Sequence, residues 1–387
     1  MEKGTGPRLK VVELGSWLAA PGAAALLADL SAEVIKVEPA TGDPGRDFLG
    51  AMGSDKSSPT FSLLNRGKDS IILDLATLDG RDALDGLLAN ADVFITNLRP
   101  GSLQRLSLSP EAVMERFPRL IYASITGLGL RGPQSDTGVF DVGGFWARSG
   151  LMHQLLVPGG TPPVPTGGYG DMAMALAAYA GIISALLRRE WTGKGGMVET
   201  SLLQTGAYIM SGDLAVQAVH GGMGAQQPRT DCRTPMVNSY QASDGRWFFL
   251  TEIDSRRGFV RLCEAIDRPD LATDPDFATA RSIRQNRAAL IPLLDQLFSA
   301  EPLTHWEDRF ARADVLWQMI ASPEEVLADP QLHENGMLSP IVDGETVMQM
   351  VPSPFTIDRQ PRPVMRAPRL GERHSCQPAA PSLAAPE

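Results

Sequence analysis

Cysteine is scarce in this chain: Cys232, Cys263 and Cys376 are the three among 387 residues. Their odd number and wide spacing fit neither a disulfide framework nor a zinc site. The expectation is a reduced compartment and no metal centre. Lysine is scarce too, at six of the 35 basic residues. A polyanionic ligand would therefore be held mostly by arginine, whose planar fork of donors suits phosphate. Positive charge is in deficit overall, and a net charge of −10 argues against non-specific binding to nucleic acid. Residues 1–10 carry Gly, Pro and charges without an apolar core, unlike a signal peptide. The longest near-continuous apolar run, residues 172–187, is short for a membrane span and contains Gly181. A cytoplasmic protein that engages neither nucleic acid nor membrane is expected. No internal repeat is visible.

What is present is the composition of an ordinary soluble globular protein, 43% hydrophobic and 21% charged. The length favours two domains. Short apolar runs at residues 8–14, 33–37, 70–75, 92–96 and 120–126 read as strands. Residues 21–30 and 79–90 have helical character, the latter through Leu84, Leu87 and Leu88. Strands alternating with helices predict a doubly wound α/β sheet. Residues 220–231 shift to Gly, Gln and Pro and read as a linker. Residues 239–251 alternate around Asp244-Gly245, a hairpin signal. Helical stretches follow at 256–266 and 284–298. The expected organisation is a large α/β domain over residues 1–220 with a return segment at 330–376. A smaller α+β domain spans 232–325. The Pro/Ala/Ser-rich tail, 377–387, is expected to be disordered.

The most informative stretch is Gly167-Gly168-Tyr169-Gly170-Asp171-Met172, directly before the apolar run from Ala173 to Leu187. The glycines let backbone approach a ligand closely and adopt positive φ. The apolar run reads as a buried helix, which places Asp171 at its N-terminus. The helix dipole and free N–H groups are expected to keep that carboxylate ionised. An ionised, partly desolvated carboxylate beside bare backbone suits an enzyme that uses Asp as a nucleophile. An ordinary N-cap is the commoner role for Asp there, and it must be weighed beside the catalytic one.

One apparent motif points elsewhere. Gly127-Leu128-Gly129-Leu130-Arg131-Gly132 matches the dinucleotide fingerprint and follows a strand. The fingerprint must open a helix, yet residues 133–138 are rich in turn formers. No NAD site is expected.

The motifs around Asp171 closely resemble the signature of the family III CoA-transferases, which include formyl-CoA transferase, carnitine CoA-transferases and α-methylacyl-CoA racemase. The resemblance rests on Gly170-Asp171-Met172, Ala180-Gly181-Ile182, Arg189-Glu190, Thr192-Gly193-Lys194-Gly195 and Val198-Glu199-Thr200-Ser201-Leu202-Leu203. It extends to Val34-Ile35-Lys36-Val37-Glu38-Pro39, Asn65-Arg66-Gly67-Lys68, Asn97-Leu98-Arg99-Pro100-Gly101 and Ala367-Pro368-Arg369-Leu370-Gly371-Glu372. So many short pieces in the right order make the match specific across nearly the whole chain. It implies a Rossmann-like large domain, an interlocked homodimer, and transfer of CoA from an acyl-CoA to a free carboxylic acid. The catalytic residue implied is Asp171, acting through an aspartyl-CoA thioester. The substrate is coenzyme A in the form of acyl-CoA, with no metal. Positions matching Leu73, Asn97 and Arg105 contact CoA in the family. Arg46 and Arg66 are weaker candidates on charge alone.

Departures from the family pattern are informative. Several transferases carry a Gln-Ala-Gly-Pro turn after the first strand, where this chain has Leu18-Ala19-Ala20-Pro21. The polar helper is missing. The Gly-rich loop that shields the nucleophile corresponds loosely to Gly221-Gly222-Met223-Gly224. The racemases carry His-Asp where this chain has Phe140-Asp141, so a racemase or isomerase lacks an evident second acid–base group. His153 is the nearest histidine and reads as structural or exposed. A non-catalytic CoA-binding protein is the remaining alternative, which the retained Asp171 and glycines oppose.

Overall fold

In the computed structural model, residues 8–47, 58–157, 159–165, 167–222, 227–343, 346–357 and 364–373 are described. The chain forms two compact units. One holds residues 1–153, 164–223 and 330–387, and the other holds 154–163 and 224–329. Residues 377–387, read above as a disordered tail, and Cys376 lie outside the described residues.

The first unit alternates strand and helix. Its elements are β1 (Lys10–Leu14), α1 (Ala19–Ala28), β2 (Glu33–Glu38), α2 (Pro59–Leu64), β3 (Asp69–Ile72), α3 (Leu78–Leu88) and β4 (Val93–Thr96). Then come α4 (Pro100–Arg105), α5 (Pro110–Arg116), β5 (Ile121–Thr126), α6 (Leu151–Gln154), α7 (Tyr169–Thr192), β6 (Gly196–Ser201), α8 (Leu202–Ile209) and α9 (Ser211–His220). The six strands make one sheet in the order β3-β2-β1-β4-β5-β6, every pair parallel. The order reverses between β1 and β4. Parallel sheets bury both faces, which is why the strands read as continuous apolar runs.

Side chains alternate between the faces. Val11, Val34, Val93, Ile95, Ile121 and Ala123 pack with α1 and α7. Val12, Val37, Phe94 and Tyr122 pack with Leu84 and Leu88 of α3, Leu103 of α4 and Val113 of α5. The alternation puts Glu13 on the α1 face with Val11, and Lys36 there with Val34, yet both are fully buried. Charge at the carboxyl ends of buried strands interrupts an apolar pattern at the edge where ligands bind in open α/β sheets.

The second unit is built on an antiparallel sheet in the order β7 (Val237–Gln241), β8 (Trp247–Thr251), β9 (Trp317–Met319). The β7–β8 turn carries Gly245 at φ +80°, as the Asp244-Gly245 pair predicts. Helices between β8 and β9 include α10 (Ser255–Ala265), α11 (Pro269–Thr273), α12 (Ala280–Gln285), α13 (Arg287–Phe298) and α14 (Leu303–Ala313). They enclose a core with Tyr240, Phe248, Phe298 and Phe310.

The helix at Asp171 is longer than its apolar run. It spans 24 residues, enough to cross a membrane by length and composition alone. Met174, Ala175, Ala178 and Ile182 are nevertheless buried against α1 and the sheet. Arg189 in its last turn pairs with Asp92 at 2.9 Å.

Candidate active site

Asp171 lies inside the first turn of α7 and does not cap it. The N-cap is Gly168, in the left-handed region at φ +67°, and it provides no side-chain cap bond. The cap comes from a distant segment. Asp141 Oδ1 accepts the backbone N–H of Asp171 at 3.1 Å, and Asp141 also accepts from Gly170 N–H. Trp146 Nε1 donates to Asp141 Oδ2 at 3.2 Å. This long-range cap is why the helix starts at Tyr169, upstream of where the apolar periodicity begins.

Glycine at 170 is required by close approach. A Cβ there would stand 2.2 Å from Phe145 Cγ and 2.3 Å from Asp141 Oδ1. Gly168 is confined too, though less tightly: a Cβ would lie 2.7 Å from Leu18 Cδ1 and 3.4 Å from Asp171 Oδ2. The Leu18 methyl and the Asp171 carboxylate therefore meet around one small volume.

The Asp171 carboxylate is shifted well away from the ordinary carboxylate range. Burial, then the negative charge of Asp141, push Asp171 up to about 7. Burial also raises Asp141, against the pull of its three hydrogen bonds. The helix dipole acts in the opposite sense, but it is the smaller effect in a desolvated site next to a like charge. Among the described residues no Lys, Arg or His forms an ion pair with either carboxylate.

The other expected site residues fall along the carboxyl edge of the sheet. Leu73 follows β3 and packs, half-buried, against the cluster that holds Leu103. Asn97 follows β4, and its side chain is already engaged. Its Oδ1 accepts Ser16 N–H at 3.0 Å and its Nδ2 donates to Ser16 carbonyl at 2.7 Å. The amide thus ties the loop after β1 to the loop after β4, across the point where strand order reverses. Arg105, in the last turn of α4, is exposed and donates to Ser102 Oγ at 2.9 Å.

Both arginines singled out by charge alone are committed to the fold. Arg46 pairs with Glu38 through Nε at 2.8 Å and Nη2 at 2.6 Å, and stacks on Phe61. Arg66 pairs with Asp29 and also donates to the carbonyls of Leu63 and Pro352. The Gly170 N–H is likewise committed, since it serves Asp141. Met223 and Gly224 of the candidate shielding loop lie outside the described residues. His153 is exposed on α6. After the Gly127–Gly132 motif no helix opens. Gly129 N–H donates to Thr126 Oγ1 and Leu130 N–H to Glu199 Oε1, which fold the stretch into a turn.

Sequence reasoning missed a buried charge cluster beneath the β1–α1 loop. Glu13 pairs with Lys36 at 2.7 Å and Lys68 at 2.6 Å, and Lys36 pairs with Asp43 at 2.8 Å. Burial penalises the charges of Glu13, Lys36 and Lys68. Glu13 is nevertheless held below the usual range by its two lysines, and Lys36 is raised by Glu13 and Asp43. Lys68 falls to about 8 through burial, with Lys36 adding to the effect. Two of the chain's few lysines standing in Val-Ile-Lys-Val-Glu and Asn-Arg-Gly-Lys were the available signal.

The family model described as CoA-transferase family III matches residues 8–374. The chain is 32% identical to (R)-2-hydroxy-4-methylpentanoate CoA-transferase of Clostridioides difficile, covering 85% of this chain and 83% of that one. It is 32% identical to acetyl-CoA:oxalate CoA-transferase of Acetobacter aceti, covering 96% and 94%. The crystal structure of a CAIB/BAIF family protein from Brucella suis superposes with a TM-score of 0.82 at 30% identity, over 94% of this chain and 96% of that one.

Proposed function

The chain belongs to CoA-transferase family III, and from that premise we propose that it moves CoA from an acyl-CoA donor to a free carboxylic acid, with Asp171 as nucleophile. The observation that carries the reading is the placement of Asp171. Its carboxylate stands in the first turn of α7 directly after Gly170, desolvated and beside a second carboxylate.

Asp171 attacks the thioester carbonyl of the donor, and the C–S bond breaks to release CoA thiolate. The thiolate attacks the Asp171 carbonyl of the resulting anhydride, giving an aspartyl-CoA thioester and the free donor acid. The acceptor carboxylate attacks that thioester and again expels the thiolate. Attack of the thiolate on the acceptor carbonyl then forms the new acyl-CoA and restores the Asp171 carboxylate. No net proton is consumed. Covalent catalysis divides one difficult exchange into easier steps. The burial that raises Asp171 favours its neutral acylated forms over the bare anion, so the site that costs most in the resting enzyme is relieved at each covalent stage.

The same reading extends to the rest of the molecule. The strand order 3-2-1-4-5-6 supports a doubly wound, Rossmann-like CoA-binding domain over residues 1–220 and 330–376, with 232–325 as a smaller α+β domain. Leu73 and Arg105 meet CoA at the sheet edge, while Asn97 braces the rim of that site through Ser16. Exposed Leu187 and Trp191 on α7 and Tyr208 on α8 support burial against a second copy in a homodimer, interlocked as in the family. The enzyme works in the cytoplasm on acyl-CoA and a small acid, without nucleic acid or membrane.

The test is covalent trapping. The protein is incubated with an acyl-CoA, digested, and read by mass spectrometry. A CoA adduct on the peptide containing Asp171, absent from Asp171→Ala, is expected. An active enzyme whose adduct maps to another residue would remove Asp171 from the role.

A further inference from the structure

The loop from Gly15 to Leu18 joins β1 to α1, and its backbone is gripped by side chains. Gly15 carbonyl accepts from Lys36 Nζ at 3.0 Å. Ser16 is held at both ends by Asn97. Trp17 N–H donates to Asp43 Oδ1 at 3.1 Å. One turn further on, Pro21 carbonyl accepts from Lys68 Nζ at 2.9 Å. The grip holds an unfavourable conformation. Trp17 sits at φ +67°, where a bulky L-residue is a true outlier. Strain of this kind persists only where the surroundings over-determine it, and it concentrates at functional sites.

What the strained loop presents is apolar. The Trp17 indole meets Phe140 edge to face, with centroids 5.7 Å apart and planes at 80°. Phe140 is 71% exposed although it directly precedes the capping Asp141. Leu18 lies against Gly168, in the volume it shares with the Asp171 carboxylate. Around the two carboxylates the described residues bring no paired cation.

We propose that Trp17, Leu18 and Phe140 form the specificity wall of the site, selecting a monocarboxylic acid with a bulky apolar substituent, aromatic or branched. The proposal rests on the CoA-transferase reading and names its substrate class. An apolar substituent gains by leaving water against this wall. A second carboxylate on the substrate would lose its hydration against this apolar wall. It would also face the negative charge of Asp141. The relatives do not decide the matter, because their names cover both a branched hydroxy acid and oxalate.

The experiment measures CoA transfer from 4-methylpentanoyl-CoA and from succinyl-CoA onto four acids. These are 3-phenylpropanoate, labelled 4-methylpentanoate, oxalate and succinate. The apolar acids are expected to exceed the dicarboxylates by at least tenfold in kcat/KM. Phe140→Ala and Leu18→Gln, each checked for folding by circular dichroism, should narrow that ratio mainly through KM for the apolar acids. A purely structural role would lower transfer to all four acids alike. Dicarboxylates used as well as or better than the apolar acids would overturn the proposal and leave the transferase reading standing. A ratio unchanged in both folded variants would overturn it as well. Transfer to none of the acids from either donor would overturn the transferase reading, and this proposal with it.

Discussion

Asp141 Oδ1 and the backbone N–H of Asp171 are 3.1 Å apart, which makes one acidic residue the helix cap of the other. The bond fixes where the Asp171 carboxylate begins its reach, and it brings a negative charge alongside. Because Asp171 is pushed up to about 7, the nucleophilic anion forms across the neutral range. The rate of the acylation step should rise with pH and level off above about 7. Asp141→Asn removes the like charge while its amide oxygen still caps the helix, so the midpoint should move to lower pH. A pH profile of kcat/KM for both proteins checks this. An unchanged midpoint would leave burial as the whole cause.

Asp171 also ties stability to pH. Its folded value, about 7, exceeds the ordinary carboxylate value of about 4. The folded state therefore holds the proton that the unfolded chain has lost between those limits, and stability falls as pH rises through the window. Asp171→Asn abolishes the penalty. At pH 8 the variant should be more stable than the parent by about 2–4 kcal/mol, with little difference near pH 4. Urea denaturation at the two pH values measures it. The same variant should have no exchange activity.

The charge cluster beneath the loop is built from residues that are each fully buried. Removing one partner leaves a charge stranded in the interior, which typically costs about 3–5 kcal/mol. Glu13→Gln should show a loss of that order in urea midpoints, since Lys36 and Lys68 would share only Asp43. Lys68→Met should cost less, because the Lys68 charge is already disfavoured by burial and by Lys36.

Arg105 and Asn97 should behave differently on substitution. Arg105 is exposed, and Ser102 Oγ takes one of its donors. Arg105→Ala should weaken CoA by about 1.5–3 kcal/mol, as for a lost hydrogen bond to a charged group, and leave stability near that of the parent. Asn97→Ala frees the Ser16 N–H and carbonyl and should lower stability first. Calorimetric titration with CoA, together with a thermal melt of each variant, separates the two roles.

Much was legible in the chain before any coordinates. Continuous apolar runs such as Val93–Thr96 and Ile121–Thr126 determined buried parallel strands, since a sheet covered on both faces needs no polar alternation. The glycines before Asp171, and the run of short motifs around it, determined the family and the residue to examine. Tertiary structure alone decided that Asp171 lies inside the helix and titrates near neutrality. The cap that starts the helix comes from Asp141, 30 residues away, and desolvation is a property of packed neighbours that no local pattern records. It decided too that Arg46 and Arg66 are structural while Arg105 reaches solvent, because an arginine's partners are fixed by which segments fold against it. The grip on the loop from Gly15 to Trp17 joins Lys36, Asp43 and Asn97, brought together only because β1, β2 and β4 lie side by side.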